Sequence, residues 1–279
     1  MSSLPLSQPL YLNGGLRSKT PRSFHCILIG VGGTGGYVLQ ALTRLLYGME
    51  PNGSRIAVTL IDGDRVEQHN LKRQHFLAQD IGHNKATVLA ERFGALYHLP
   101  LHTIPHYLEQ AQTITDLCDK ILPTTSIFNA FQSGPVPILI GCVDNHVTRR
   151  IISEAYHQLP IGISIDVGND AADPDVPAPG GYGGHCVVGV RSASQSVLPD
   201  VTEVYPEIVT DTSIPHPAQA CGLDLVHHPQ HFLANLWAAM MVLSVLTDIL
   251  TERVIRTHLV NFNALTMTAR PQLAMLSHS

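Results

Sequence analysis

The sequence predicts an α/β fold: a mostly parallel sheet with helices on both faces, extended at its C-terminal end by antiparallel strands. Three observations predict it. Short, β-branched apolar runs alternate with longer runs of helical period as far as Asn169, the pattern of a parallel sheet buried on both sides. A glycine-rich turn, "GVGGTGG", joins the first apolar run to the first helical one, where a Rossmann-like sheet takes a nucleotide phosphate. The closing stretch, "RTHLVNFNALTMTAR", reads as paired strands.

Taken in order, residues 1–22 are polar and rich in Ser, Pro and Gly, and are expected to form a loosely held arm. Residues 23–279 are expected to form one domain, with a nucleotide-binding half over about 23–168 and a second half over about 169–279. "FHCILIG" is a buried strand, "YVLQALTRLLYG" a helix closed by Gly48, "EPNGS" a turn, and "RIAVTLID" the second strand. "NKATVLAERFGALYH" has helical period, "LHTIPHYL" is extended, and a helix follows from Ala111 to Ile121. "PILIGCVD" is a strand ending at Asp144, "NHVTRRIISEAYHQ" a helix and "IGISIDVGN" a strand. "DAADPDVPAPGGYGG" is then a loop and "HCVVGVR" a strand, and a long polar loop is expected from Ser192 to about Gly222. The apolar run from Pro229 to Thr251 is a helix; Asn235 and Asp248 interrupt it, so it is expected to lie in a core or an interface rather than in a membrane.

Composition narrows the function classes. The chain has 279 residues and a formal net charge of −5 of mixed sign, so neither nucleic acid nor a membrane surface is an expected partner. Its five cysteines, Cys26, Cys118, Cys142, Cys186 and Cys221, contain no C-x-x-C pair; no zinc is expected, and a scattered odd set fits a reducing cytoplasm better than a disulfide framework. No secretory signal pattern opens the sequence. Sixteen histidines are many, but Pro100 and Pro105 break the series His98, His102, His106, and His227, His228 and His231 lack partners in register for a metal.

The chemistry gathers around the glycine turn. Gly30, Gly32, Gly33 and Gly35 permit the tight turn and the close approach of a phosphate to a helix N-terminus. Asp62 ends the second strand, where a carboxylate reaches ribose hydroxyls. Asp64, Asn70, Arg73, Gln74 and Lys85 follow it, more polar groups than a dinucleotide needs. Arg73 and Lys85 suit a triphosphate whose charge grows during attack, and Asp144, on the same sheet edge, suits Mg2+. Singly, Arg73, Lys85 and Asp144 are ordinary surface residues; around one glycine turn they form a constellation.

In order, "GVGGTGG", "IDGDRVEQHNLKRQHF", "DIGHNKA" and "GCVDNHVTRR" resemble the ThiF/MoeB/HesA family, the adenylating core shared with ubiquitin-activating enzymes, from about Ile27 to Val167. The chain is more narrowly similar to the ThiF-related member of the ParB-related, ThiF-related cassettes (PRTRC systems) of bacterial plasmids. The resemblance implies ATP and Mg2+ as cofactors and a ubiquitin-like modifier protein as substrate. It implies that the glycine turn takes the phosphates, Asp62 the ribose and Asp144 the metal, while Asp64, Asn70, Arg73, Gln74 and Lys85 line the phosphate region. It also implies a two-fold homodimer paired through the apolar helix, and a thioester cysteine, for which Cys221 is the candidate, handing the modifier to a conjugating enzyme. An "RYxRQ" element ahead of the first strand is missing; Arg17 and Arg22 are the available substitutes. Two other functions compete: a non-catalytic binding module on the same fold, and a nicotinamide or flavin oxidoreductase, which leaves Arg73, Lys85 and Asp144 without a role.

Overall fold

The computed structural model describes residues 10–12, 23–49, 55–121, 135–169, 180–211 and 231–274. Five parallel strands form the centre: β2 (Phe24–Ile29), β3 (Ile56–Ile61), β4 (Leu101–Ile104), β5 (Val136–Gly141) and β6 (Gly162–Asn169). They lie in the order β6-β5-β2-β3-β4. The sheet continues antiparallel from β6 through β7 (Gly183–Ser192), β10 (Thr257–Asn263) and β11 (Thr268–Leu273), with β8 (Gln195–Leu198) paired to β7. Outside it, β1 (Leu10–Tyr11) pairs with β9 (Val254–Ile255), so this point within the N-terminal 22 residues is tied to the C-terminal half.

Alternation along the strands sends apolar side chains to both faces. Phe24, Cys26 and Leu28 of β2, with Val58, Leu60, Ile138 and Ile140, pack beneath α1 (Gly33–Gly48), α2 (Lys85–Tyr97) and α7 (Phe232–Thr247). Ile27 and Ile29 point the other way, with Ile61 and Leu139, onto α3 (Gln112–Ile121) and α4 (His146–Gln158) through Ile114, Ile152 and Tyr156. Helices thus cover both faces, as the sequence predicts.

Three boundaries depart from the sequence expectation. The strand expected to reach Asp144 stops at Gly141, leaving Asp144 exposed on the loop that leads to α4. The long polar loop expected from Ser192 contains β8 and two single-turn helices, α5 (Val201–Val204) and α6 (Glu207–Thr210). Asp200 makes this turn possible: fully buried, it caps α5 through the Thr202 and Glu203 N–H groups and accepts the Ser153 hydroxyl of α4. The apolar helix runs as far as expected but changes pitch: α7 ends at Thr247, passes into a π turn over Asp248–Glu252, and closes at Arg253 with φ +57°. The helix and π turn together are long and apolar enough to cross a membrane, but half of that surface is buried against the rest of the molecule. "EPNGS", most of the loop after Asn169, and Cys221 with its neighbours His216, His227 and His228, lie outside the described residues, as do Arg17 and Arg22.

Candidate active site

Strand order reverses between β2 and β5, and the glycine turn leaves the C-terminal end of β2 at that switch point. A parallel sheet opens a crevice there for a ligand. Gly30 has φ +82°, and a Cβ on Gly35 would sit 1.9 Å from the Gly30 carbonyl oxygen, so only glycine permits the turn. Gly32 caps α1 without any side-chain hydrogen bond, leaving the N–H groups of the first turn to an anion. Gln74 lies against Gly32, and its Oε1 is buried without a hydrogen-bond partner among the described residues. An orphaned amide oxygen can be satisfied only by a donor, such as a bound water or a ligand hydroxyl, so it leaves room for a hydrated ligand beside the open N–H groups. The side-chain direction of Gly33 points instead at Asn235 of α7.

Asp62 stands at the end of β3. Its Oδ2 accepts the Val31 N–H at 2.7 Å and its Oδ1 the Asp64 N–H at 2.8 Å, which ties this carboxylate to the glycine turn. Burial, and after it the Asp64 charge, push its carboxyl up to about 6. Asp64 accepts Lys85 Nζ at 2.8 Å on one oxygen and the Tyr107 hydroxyl at 2.6 Å on the other. Asn84 caps α2 through the Thr87 N–H and donates to the carbonyls of Asp62 and Asp64. Lys85, at the first position of α2, is thereby placed with its ammonium nearly buried.

The segment between these groups is built by its own hydrogen bonds. Asn70 is buried; its Oδ1 accepts the Glu67 N–H and its carbonyl accepts the N–H groups of Arg73 and Gln74, so it shapes the turn that carries those two residues. Arg92 donates to the His75 carbonyl and to Asp80, fixing the far side of the same segment. Arg73 ends the 3-10 turn over Gln68–Lys72. Thus Asp62, Asp64, Lys85 and the glycine turn form one bonded unit, Gln74 abuts it, and Arg73 and Asp144 stand on adjoining segments.

Sequence reasoning missed the groups that brace this unit. Tyr107 fills the space a side chain at Gly63 would need: a Cβ there would lie 2.5 Å from its ring. Arg149 of α4 is buried with Asp166 of β6, Nε to Oδ1 3.2 Å, and donates to the Val143 carbonyl one residue before Asp144. Burial raises the Asp166 carboxyl, and the guanidinium opposes the shift. The polar residue Asn235 inside an apolar run was the one signal visible beforehand. Among the described residues, His157, Asp200 and Glu203 are close enough to share a metal, but the Asp200 and Glu203 oxygens are taken by the cap of α5. Cys26, Cys118 and Cys186 are buried thiols pushed up to about 12, and Cys142 is pushed well above its ordinary value, so none of the four is an activated nucleophile.

Comparison with known proteins bears on the fold and the family. The sequence model of the ThiF family matches residues 12–279. The chain is 29% identical over 132 residues to ubiquitin-like modifier-activating enzyme 5 of Drosophila virilis, covering 47% of this chain and 30% of that protein. It is 22% identical over 138 residues to the enzyme of the same name from Oryza sativa subsp. japonica, covering 50% and 30%. The aligned region therefore spans under a third of the length of these relatives. Among solved structures, PaaA matches with a TM-score of 0.54 at 18% identity, covering 90% of this chain and 64% of that one. E. coli MccB solved with ATP matches with a TM-score of 0.56 at 15% identity, covering 91% and 64%. At these identities the structural matches speak for the fold.

Proposed function

The chain belongs to the ThiF family, and from that premise we propose that it adenylates the C-terminal carboxylate of a small ubiquitin-like modifier protein at the expense of ATP. The observation that carries this reading is the bonded unit of Asp62, Asp64 and Lys85 against the glycine turn at the switch point of the sheet. Relatives named for modifier activation, and a fold neighbour solved with ATP, support it.

In this reading Gly30, Gly32, Gly33, Gly35 and the first turn of α1 take the phosphates, and Asp62 takes the ribose. Asp64, Asn70, Gln74 and Lys85 shape the phosphate region. A Mg2+ ion, held at Asp144, would screen charge between phosphate oxygens. A carboxylate is a poor electrophile until one oxygen joins a good leaving group. The modifier's carboxylate oxygen attacks the α-phosphorus, the bond to the β-phosphate oxygen breaks, and pyrophosphate leaves with that electron pair. Arg73 and Lys85 stabilise the charge that builds on the phosphates.

The wider assignment includes a homodimer, a cytoplasmic location, membership of a plasmid PRTRC cassette, and transfer of the acyl group to Cys221 and then to a conjugating enzyme. Two copies would meet through α7, which carries an exposed stripe of Phe232, Leu233 and Met240. A thiolate at Cys221 would displace AMP from the adenylate to form a thioester.

ATP–pyrophosphate exchange with a Gly-Gly-ended modifier tests the adenylation. Exchange should fall about 100-fold in Arg73→Ala and in Asp144→Ala. Wild-type rates in both variants would overturn the assignment; partner binding without exchange would favour the binding module. A thiol-sensitive adduct that forms with wild type, and is lost in Cys221→Ala while exchange survives, is the result expected for the thioester.

A further inference from the structure

We propose that Asn235 is a positioning residue for the phosphate-binding turn, and that Gly33 is glycine in order to seat it. The proposal rests on the nucleotide reading of that turn. Asn235 lies in the first turn of α7 at 1% exposure, in a helix whose other buried residues are apolar. Its Oδ1 accepts two hydrogen bonds, from the Thr34 hydroxyl at 3.2 Å and from Asn169 Nδ2 at 2.7 Å. Asn169 Nδ2 also reaches the Thr34 hydroxyl oxygen, 3.2 Å away. Three segments distant in sequence meet in this clasp: the first turn of α1, the last residue of β6 and the start of α7.

The clasp is a poor way to stabilise a core. Among the described residues Asn235 Nδ2 has no acceptor and Asn169 Oδ1 has no donor, although both atoms are buried. An unpaired buried amide opposes folding, and an apolar side chain of the same size would fill the space without that penalty. What Leu cannot do is accept two directed bonds and so fix where the first turn of α1 sits relative to the sheet and α7. That turn carries the open N–H groups. Gly33 completes the device. A Cβ there would lie 2.5 Å from Asn235 Nδ2, so any side chain would push the amide out of place. The third glycine of "GVGGTGG" thus serves the contact with α7 through its missing side chain, while its N–H stays with the open first turn of α1.

Two measurements on the full chain test this, and one needs no nucleotide. In Asn235→Leu, hydrogen exchange of the amides from 31 to 36 should quicken about tenfold, while the interior of α7 from 238 to 246 keeps its protection. Mg-ATP affinity should weaken about tenfold, with the melting temperature moved little. Gly33→Ala should reproduce both effects, and the double variant should be no worse than either single one, because both break the same contact. Should Asn235→Leu fail to fold, Thr34→Val, which loses one hydroxyl at constant shape, should quicken the same amides by a smaller factor. Unchanged exchange at the turn, or protection lost evenly over the chain, would overturn the proposal and leave Asn235 a packing residue. If the wild type takes up no Mg-ATP, the nucleotide reading falls while the exchange measurement still decides the clasp.

Discussion

Lys85 Nζ lies 2.8 Å from Asp64 Oδ2, and the two residues are also joined through the main chain, where the Lys85 N–H donates to the Asp64 carbonyl at 2.9 Å. The Lys85 side chain is 8% exposed and that of Asp64 45%, so one charge is held in the protein and the other faces the crevice. The ammonium depends on its partner. Asp64→Asn should destabilise the fold by about 2 kcal/mol, less than for a fully buried pair because water reaches Asp64. Asp64→Asn combined with Lys85→Met should recover most of that loss. Urea denaturation of the three proteins checks it.

Asp62 titrates near the physiological range. Its carboxyl is raised from 3.8 to about 6. A raised carboxylate favours the protonated fold, so the stability Asp62 contributes is fully present below pH 3.8 and is lost as pH rises through about 6. Relative to Asp62→Asn, the apo wild type should therefore lose on the order of 2–3 kcal/mol between pH 4 and pH 7. Under the proposed nucleotide reading, affinity should run the opposite way, weakening below about pH 6 in wild type as the carboxylate proposed for the ribose is protonated, and staying flat in Asp62→Asn. Urea denaturation at several pH values reads the stability trend, and calorimetric titration reads the affinity trend.

The buried pair Arg149–Asp166 holds the Val143 carbonyl, and so the loop bearing Asp144. Arg149→Leu strands a buried carboxylate. It should cost about 3–5 kcal/mol, and Asp166→Asn in the same chain should return part of it. Thermal melts of the single and double variants measure the coupling.

Two glycines of α1 should respond in opposite senses to the same change. At Gly35 an added methyl collides with the Gly30 carbonyl at 1.9 Å, so Gly35→Ala should abolish nucleotide binding or folding. At Gly48 nothing among the described residues lies within 4 Å, and Gly48→Ala should stabilise the chain by about 0.5–1 kcal/mol. Chemical denaturation, with nucleotide binding measured in parallel, distinguishes the two.

If two copies meet through α7, Met240→Glu should convert the dimer to a monomer. Met240 is 57% exposed, so the charge is harmless to the monomer fold and tolerated only there. Light scattering at micromolar concentration measures this; a wild type that is already monomeric contradicts the pairing.

The central strands were legible because β2, β3 and β5 are short β-branched runs whose pattern depends on little beyond the residues themselves. The glycine turn, Asp62, Asp64 and Lys85 were legible because they follow one another along the chain. What escaped depends on tertiary contact. The single turns α5 and α6 are too short to show a helical period, and α5 is capped by Asp200, an acid indistinguishable in sequence from a surface one. Tyr107 reaches Asp64 only because β3 and β4 are neighbours, and Arg149 finds Asp166 only because α4 lies over β6. The sequence extends the strand to Asp144 because "PILIGCVD" stays apolar as far as Val143, beyond β5.

The small pairing of Leu10–Tyr11 with Val254–Ile255 has a consequence for the order of events during biosynthesis. It joins residues separated by almost the whole chain, so it cannot form until β9 has left the ribosome, long after the parallel strands are available to one another. Closing so long a loop for two residue pairs is a poor nucleus. The strap must dock onto a sheet already assembled. Contacts made after the rate-limiting step leave the folding rate alone and slow only the reverse reaction. The strap is therefore a latch on lifetime: its loss should leave refolding as fast as before and shorten the time the folded protein survives.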